Sequence, residues 1–366
     1  MSFYNRYKAF KNINFKKVYT KVEKKDIEEV LNKDKISVKD FMILLAPQAE
    51  EYLEVMAQKA RRLTIQNFGR VIFLYAPLYI ANYCVNNCAY CGFNVTNKCS
   101  RRKLSLTEIR KEGIALAEKG IKDILILTGE SRKHSPVSYI KEAVIILKEY
   151  FPSVAVEIYP LKVNEYQELI QAGVDGLTLY QEVYNEEIYD QVHISGPKKN
   201  YLYRLNGPER GCKAGIRRVN IGALLGLDDW RREGFFTGLH AAYLQYKYIE
   251  TEISISVPRL RPHLGSFNTE VMVDDKALVQ LILAYRLFMP RVGLNLSTRE
   301  AAKTRDNLLP LGITKISAES STYVGGYTKK AGTAQFEIAD TRSLEEIRRL
   351  LMEKNYQPVF KDWHQF

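Results

Sequence analysis

Short apolar segments alternate with amphipathic stretches along most of the chain after residue 70. The apolar segments are rich in Val, Ile and Leu, a composition typical of strands that are buried on both faces of a parallel sheet. Eight segments have this character: Val71–Leu78, Asp123–Leu127, Val154–Ile158, Gly176–Tyr180, Val219–Leu224, Glu252–Val257, Gly293–Ser297 and Thr314–Ser317. Because eight strand–helix units close a (β/α)8 barrel, the pattern predicts an α/β fold of the TIM-barrel type.

Helical periodicity fills the intervals between these strands and both ends of the chain. The helices predicted between strands are Ser105–Glu118, Tyr139–Glu149, Asn164–Ala172 and Leu278–Leu287. Before the first strand, Ser37 and Asp40 have the spacing of a capping box, and another helix is predicted from about Gln48 to Gln66. Three regions are therefore expected: a helical N-terminal extension (1–70), the barrel (71–320), and a C-terminal segment (321–366) that packs on the barrel and contains a helix at Ser343–Lys354.

The composition of the 366 residues is globular, with 46% hydrophobic residues and a formal net charge of +12. Lysine and arginine are scattered, so we interpret the charge as a solvated surface and expect no nucleic-acid partner. No segment approaches the roughly 20 apolar residues of a membrane span, and the N-terminus lacks a signal-peptide pattern. Five cysteines, an odd number, argue against a disulfide framework and favour a cytoplasmic location.

Three of the five cysteines are clustered: Cys84, Cys88 and Cys91 follow the first predicted strand with the spacing C-x3-C-x2-C. Barrel active sites lie at this end of the strands. Three thiolates can bind three irons of a 4Fe-4S cluster and leave the fourth iron open to another ligand. A structural zinc site would need a fourth ligand, for which the nearest downstream histidine, His134, is a poor candidate. The spacing therefore predicts a cluster with an open iron.

The cysteine motif resembles the C-x3-C-x-Φ-C signature of the radical S-adenosylmethionine superfamily, with Tyr90 as the aromatic residue Φ. The resemblance implies one 4Fe-4S cluster, bound by the three cysteines, and S-adenosylmethionine bound to the open iron through its amino and carboxylate groups. Tyr90 is expected close to the adenine ring.

Other segments resemble further parts of the superfamily's cofactor site. Thr128-Gly129-Glu130 is similar to the Gly-Gly-Glu motif that binds the methionyl amino group, although Thr128 replaces the first glycine. Residues 221–226, which include Gly222 and Leu225, resemble the motif that lies against adenine. Arg204 is a candidate partner for the cofactor carboxylate, because a guanidinium group pairs with a carboxylate through two hydrogen bonds.

Several segments narrow the resemblance to the tyrosine lyases of thiamine thiazole synthesis, the 2-iminoacetate synthase family. They are Cys88–Asn94, Leu179–Tyr184, Pro258–Pro262, Leu296–Glu300, Gly325–Tyr327 and Lys361–Trp363. The resemblance implies that a 5′-deoxyadenosyl radical removes hydrogen from the amino group of L-tyrosine and that the Cα–Cβ bond then breaks. The implied products are 4-cresol and 2-iminoacetate, with 5′-deoxyadenosine and methionine from the cofactor. It also implies thiazole synthase as a partner and a flavodoxin or ferredoxin as electron donor.

An amino-acid substrate requires a fixed cation for its carboxylate. Arg299 is the first candidate, with Ser297 and Thr298 as hydroxyl donors beside it. Glu182 and Tyr180, together with Gln181, are candidates for the group that receives the proton of the substrate amino group.

Alternatives to these assignments stay open at this point. Arg299 could instead form a rim salt bridge with Glu300 or Glu319, and Arg259 or Arg261 could bind the carboxylate. Weaker candidates for acid–base chemistry are His193, His240 and His263. The two remaining thiols, Cys99 and Cys212, are interpreted as incidental.

Two other functions are considered. The maturase of iron-only hydrogenase also cleaves tyrosine, but its family carries a second cysteine cluster, whereas this sequence has no cysteine after Cys212. A non-catalytic metal-binding module that associates with RNA would account for the positive charge. It would not account for the barrel pattern, and the sequence has no aromatic RNA-binding signature.

Overall fold

The computed structural model describes residues 2–265, 267–269 and 271–361. All eight predicted strands are confirmed, and three short strands accompany them. In chain order the strands are β1 (Val71–Ala81), β2 (Asn87–Cys88), β3 (Asp123–Thr128), β4 (Ser153–Glu157), β5 (Gly176–Thr178), β6 (His193–Ser195), β7 (Arg218–Gly222), β8 (Glu252–Ser256), β9 (Gly293–Leu296), β10 (Lys315–Ser317) and β11 (Gln357–Val359).

Eight of these strands form a closed parallel barrel. Neighbouring strands follow the order β10-β9-β8-β7-β5-β4-β3-β1, and pairing of β10 with β1 closes the ring. Strand β11 pairs with the first residues of β1, outside the ring. The short strands β2 and β6 form a separate antiparallel pair. The predicted (β/α)8 fold is therefore confirmed.

Helices surround the barrel and precede it, as the periodicity predicts. They are α1 (Phe3–Phe10), α2 (Phe15–Tyr19), α3 (Lys24–Asn32), α4 (Val38–Leu44), α5 (Leu53–Phe68), α6 (Leu106–Glu118), α7 (Val137–Lys148), α8 (Val163–Gln171), α9 (Glu186–Val192), α10 (Tyr201–Leu205), α11 (Gly207–Lys213), α12 (Trp230–Lys247), α13 (Asp275–Phe288), α14 (Ala302–Leu308) and α15 (Leu344–Glu353), with 3-10 turns at Pro47–Tyr52, Pro197–Lys199 and Leu309–Leu311. None of the helices in the described part of the chain is long and apolar enough for a transmembrane span.

Helix ends follow the local signals in the sequence. Ser37 caps α4 and forms the predicted capping box with Asp40. The helix expected from Gln48 begins later, as α5, because Pro47 starts a 3-10 turn before it. Gly69 ends α5 with φ = 66°, a conformation that glycine adopts without strain. The region boundaries at residues 70 and 320 stay a prediction.

The N-terminal extension forms a hydrogen bond and an ion pair with the segment that follows β5. The hydroxyl of Tyr7 in α1 donates to the carbonyl oxygen of Tyr184 (2.8 Å), and Lys11 forms an ion pair with Glu186 (2.7 Å). Phe3 stacks on the buried ring of His240 in α12, with 4.0 Å between ring centroids. The extension therefore packs against a segment that leads into the carboxyl-terminal rim of the barrel.

A cluster of ion pairs lies at the opposite, amino-terminal rim of the barrel. Arg218 of β7 lies 2.9 Å from Asp123 of β3 and 2.5 Å from Asp175, and Lys315 of β10 lies 2.6 Å from Asp123. Both aspartates are buried. Burial raises the pKa of Asp123, but the charges of Arg218 and Lys315 outweigh it, so this pKa lies below its ordinary value.

We expect Arg218→Met to lower the free energy of unfolding by about 3 kcal/mol, because a buried carboxylate that loses its partner is left uncompensated. Urea unfolding followed by circular dichroism measures the effect. The control is Arg348→Met, which removes an exposed ion pair with Glu345 and is expected to leave the midpoint unchanged. Equal midpoints for the two variants would contradict a structural role for the rim cluster.

Candidate functional site

The candidate site is a cavity at the carboxyl-terminal ends of β1, β3 and β4. Cys84, Cys88 and Cys91 line it together, and we call it the cysteine cavity. Its atom-free space, which is open to solvent, is ≈ 640 Å³. The loop after the first strand therefore carries its thiols to the place where barrel active sites lie.

Two side-chain amides reach the thiols. Nδ2 of Asn86 donates to Sγ of Cys84, and Nε2 of Gln335 donates to Sγ of Cys91, each over 3.8 Å. Among the described residues, no three His, Cys, Asp or Glu side chains converge on a position for a single metal ion. The three thiols line one cavity.

The residues after β3 press against the cysteine loop. A Cβ at Gly129 would lie 2.4 Å from the carbonyl oxygen of Tyr83, so only glycine permits this approach. The carboxylate of Glu130 accepts a hydrogen bond from Nδ2 of Asn86 (2.6 Å). Gly129 and Glu130, both predicted from the sequence, therefore line the cysteine cavity together with Thr128.

Tyr90 is held in the cysteine loop by His193. The Tyr90 hydroxyl lies 2.7 Å from Nε2 of His193, and Nδ1 of the same ring lies 2.8 Å from the carbonyl oxygen of Tyr189. A carbonyl only accepts, so Nδ1 carries the proton of the neutral ring and Nε2 accepts from Tyr90. Burial lowers the pKa of His193 to about 2. His193 therefore positions Tyr90 and does not titrate near neutral pH.

Glu182 lies in the cysteine cavity between two cations. It follows β5 with φ = 71°, a left-handed conformation that is uncommon for a residue with a side chain. Its carboxylate is 2.7 Å from Nζ of Lys198 and 3.3 Å from the guanidinium of Arg204. Burial raises the pKa of Glu182, but Lys198 and Arg204 outweigh it, so the pKa lies below its ordinary value. Arg204 and Glu182 are predicted from the sequence as site residues, whereas Lys198 is not.

The two residues predicted to lie against adenine, Gly222 and Leu225, have different surroundings. Gly222 packs behind Tyr180, and a Cβ there would lie 3.1 Å from the Tyr180 ring. Leu225 lines a different cavity, because its backbone pairs with the segment after β8. Its neighbour Leu224 packs in the apolar cluster that contains Tyr90. Contact of Gly222 and Leu225 with a nucleoside stays a prediction.

A second cavity adjoins the first inside the barrel mouth. Four predicted residues line it: Tyr180, Ser297, Thr298 and Arg299. We call it the arginine cavity, and its atom-free space is ≈ 570 Å³. The guanidinium of Arg299 stacks on the ring of Phe336, 3.5 Å from its centroid. The structure therefore brings four of the five predicted catalytic residues together and places the fifth, Glu182, in the cysteine cavity.

The alternative partners of Arg299 are engaged elsewhere. Glu300 pairs with Arg259, and Glu319 pairs with Lys119 (2.6 Å). Arg259 also lies 2.7 Å from Asp275, so it anchors the loop after β8.

Comparison of the sequence with known proteins identifies the family of this chain. The chain is 40% identical over 343 residues to 2-iminoacetate synthase of Escherichia coli strain K12, an alignment that covers 93% of this chain and 91% of that protein. The chain belongs to the 2-iminoacetate synthase family. Another member, from Salmonella typhimurium, is 40% identical over 340 residues, with 92% of this chain and 90% of that protein covered. The Radical SAM superfamily matches residues 78–237, and the Biotin and Thiamin Synthesis associated domain matches residues 256–357.

A solved structure is similar over almost the whole chain. The FeFe-hydrogenase maturase HydG from Carboxydothermus hydrogenoformans is 36% identical with a TM-score of 0.88, and the match covers 94% of this chain and 82% of that chain. Membership in the 2-iminoacetate synthase family makes the protein a radical S-adenosylmethionine enzyme. The alternative of a non-catalytic RNA-associated module is therefore set aside.

The cysteine cavity of this 2-iminoacetate synthase family member fits the 4Fe-4S cluster and S-adenosylmethionine that its superfamily uses. The three thiols line the same cavity, and amide donors face two of them. Hydrogen bonds to cluster sulfurs are one of the factors that set its reduction potential. The motif around Gly129 and the cation Arg204 line the same cavity.

Glu157, the last residue of β4, lines both cavities and is not among the site residues predicted from the sequence. Burial, followed by the negative charge of Glu182, raises the pKa of Glu157 to about 7. A signal was present in the sequence. Side chains alternate along a strand, so Glu157 shares one face of β4 with Ala155 and Ser153. This is the interior face, because Ala155 lines a cavity within the barrel and the Ser153 hydroxyl accepts a hydrogen bond from Arg218.

The remaining candidates lie away from both cavities or at their margins. His240 is buried between α1 and α12, and burial lowers its pKa to about 3. His263 and Arg261 line the cavity of Leu225. Cys212 is buried in α11. Of the segment Lys361–Trp363, residues 362 and 363 lie outside the described residues.

We expect Cys84→Ala, Cys88→Ala and Cys91→Ala each to abolish the visible absorbance of an iron–sulfur cluster after anaerobic reconstitution, because each removes one of the three thiolate ligands. Matched controls are Cys99→Ala and Cys212→Ala, which are expected to retain the absorbance and the iron content. A full cluster spectrum in any of the first three variants would contradict the ligand assignment.

Proposed function

We propose that this protein is a radical S-adenosylmethionine lyase that cleaves the Cα–Cβ bond of L-tyrosine to give 2-iminoacetate and 4-cresol, with 5′-deoxyadenosine and methionine as the cofactor products. The 2-iminoacetate would supply the thiazole ring of thiamine. The proposal is carried by two adjoining cavities in one barrel mouth, one lined by the three cysteines and the other by Arg299. Tyr79, Leu127 and Glu157 line both, so a group in one cavity can meet a group in the other.

On the cofactor side, Cys84, Cys88 and Cys91 hold a single 4Fe-4S cluster. When bound, the reduced cluster and S-adenosylmethionine supply hydrogen-atom abstraction. Gly129 and Glu130 bind the amino end of S-adenosylmethionine, and Arg204 is the candidate for its carboxylate. Tyr90, fixed by His193, and the residues Gly222 and Leu225 are assigned to the adenine end.

On the substrate side, Arg299 binds the carboxylate of tyrosine, and Ser297 and Thr298 provide hydroxyl groups beside it. The ring of Phe336 packs against the guanidinium group, 3.5 Å from the ring centroid, and so restricts the positions of Arg299. Tyr180 closes the wall of this cavity, and burial raises its pKa well above the ordinary value, so it remains a neutral phenol. Glu182 is less suited to contact tyrosine, because Lys198 and Arg204 already engage it in the neighbouring cavity.

Thiazole synthase is the proposed protein partner, since it would receive the unstable imine, and a flavodoxin or ferredoxin is the proposed electron donor. The proposed location is the cytoplasm, where thiols stay reduced.

Hydrogenase maturation is the second candidate, because the HydG structure resembles this chain at 36% identity and a TM-score of 0.88. Both candidates cleave tyrosine, and they differ in the later fate of the iminoacetate. The 40% identity to 2-iminoacetate synthase over 93% of the chain supports the first candidate.

Anaerobic incubation of the reconstituted protein with dithionite, S-adenosylmethionine and L-tyrosine is expected to form 4-cresol and 5′-deoxyadenosine, measured by liquid chromatography. Cyanide is assayed in the same samples. Absence of 4-cresol from protein that carries a full cluster would reject the tyrosine lyase, whereas cyanide in stoichiometric yield would favour the maturase.

We expect Arg299→Ala to weaken L-tyrosine binding by about 2–5 kcal/mol, because it removes one partner of a desolvated charge pair. Isothermal titration calorimetry on the reconstituted protein measures the change. Arg261→Ala is the control, since Arg261 lines a different cavity, and its tyrosine affinity is expected to match that of the unaltered protein. Unchanged affinity in Arg299→Ala would remove Arg299 from the site.

A further inference from the structure

Three residues line both the cysteine cavity and the arginine cavity: Tyr79, Leu127 and Glu157. They mark the junction across which hydrogen passes in the proposed reaction. The Tyr79 hydroxyl donates to Oε1 of Gln335 (2.7 Å), and burial raises the pKa of Tyr79 well above its ordinary value. Leu127 is apolar. Glu157 is therefore the residue of the three that can carry charge at neutral pH.

Glu157 and Arg299 are a carboxylate and a guanidinium that line one cavity from different strands. Glu157 ends β4, and Arg299 follows β9. In residues 2–265, 267–269 and 271–361, the Glu157 carboxylate forms neither a hydrogen bond nor an ion pair with another side chain. Over the same residues Arg299 stacks on Phe336 without a carboxylate partner.

Glu157 and Arg299 are both half-buried. A charge that is partly removed from water and has no partner is costly, because the protein interior does not solvate it as water does. A free α-amino acid carries one positive and one negative group on the same carbon, so it can compensate both side chains at once. The carboxylate of such a ligand would face Arg299, and its ammonium group would then face the junction, where Glu157 lies.

We propose that Glu157 binds the α-amino group of the tyrosine substrate and accepts its proton. This inference rests on the proposed tyrosine lyase function and names the group that sequence analysis left undecided. The proton passes from the substrate ammonium to a carboxylate oxygen of Glu157, which leaves a neutral amine on the substrate and a neutral carboxylic acid on the enzyme. Independently of this placement, a carboxyl with a raised pKa is a stronger base than an exposed glutamate.

The test compares two ligands that differ in the amino group. L-Tyrosine and 3-(4-hydroxyphenyl)propionate, which lacks that group, are titrated by calorimetry into the anaerobically reconstituted protein. For Glu157→Gln we expect at least a tenfold loss of affinity for L-tyrosine and little change for the propionate. Glu168→Gln is the control, because Glu168 is exposed on α8, the helix that follows β4, and its affinities for both ligands should match the unaltered protein.

The outcomes separate this inference from the proposed function. Tyrosine affinity that is unchanged in Glu157→Gln, or an equal loss for both ligands, would overturn the amino-group contact while 4-cresol formation by the unaltered protein still supports the lyase. Iron content and the thermal transition of Glu157→Gln verify folding. If that variant does not fold, Glu157→Asp takes its place, with a smaller loss expected for L-tyrosine alone.

The role of Glu157 can also be tested on the unaltered protein, through the pH dependence of its affinity for L-tyrosine. The ionised form of Glu157 dominates above pH 7, so protonation below it removes the charge that faces the ammonium group. From pH 8 to pH 6 we expect the L-tyrosine affinity to fall about tenfold, the change in the ionised fraction of one such carboxyl, while the propionate shows no such loss. A tyrosine affinity that is constant over this range would overturn the proposal.

Other charged and titratable groups face the same space, and they do not account for such a change. The pKa of Glu182 lies below its ordinary value, and those of Tyr75, Tyr79 and Tyr180 lie above theirs, so these four keep their charge state. Burial also raises the pKa of Tyr159, so it stays neutral, and the three cysteines are the proposed cluster ligands. The remaining charged side chains around the two cavities are Glu130, Lys198, Arg204 and Arg299. The propionate titration reports any contribution from these groups, since it shares the carboxylate contact and lacks the ammonium group.

Discussion

Compensation of buried charge is the constraint on which the interior of this barrel depends. An ion inside a protein costs several kcal/mol unless an opposite charge or hydrogen bonds replace its water. At the amino-terminal rim, Asp123 meets Arg218 and Lys315. In the cysteine cavity, Glu182 meets Lys198. In the described part of the chain, Glu157 and Arg299 of the arginine cavity form no ion pair with another side chain, and the proposed substrate would compensate both charges.

The fold and the cysteine site could be predicted because their signals are local. Parallel strands buried on both faces are apolar along their whole length, and the three thiols lie within eight consecutive residues, from Cys84 to Cys91. Lys198 and Gln335 could not be found in this way. Each meets the site through contacts between distant parts of the chain, such as Lys198 with Glu182 and Gln335 with Cys91, and no spacing in the sequence marks these pairs.

Glu157 was missed for a different reason. The apolar segment Val154–Ile158 predicts a strand that is buried on both faces, and this pattern alone does not distinguish the two faces. Alternation would have placed Glu157 on the interior face at the carboxyl-terminal end, where an ionisable residue is a functional candidate. Glu182 has a left-handed backbone, and nothing in the sequence around it marks that conformation.

The left-handed backbone of Glu182 lies in a loop that the N-terminal extension contacts. A left-handed residue with a side chain costs about 1–3 kcal/mol and persists only where neighbouring contacts hold it. Here the amide of Gln181 donates to Gly222 (3.0 Å), and the amide of Leu224 donates to the carbonyl oxygen of Glu182 (2.7 Å). Two residues later, Tyr7 of α1 donates to the carbonyl oxygen of Tyr184 (2.8 Å). The extension therefore packs against the loop that holds Glu182 between its two cations.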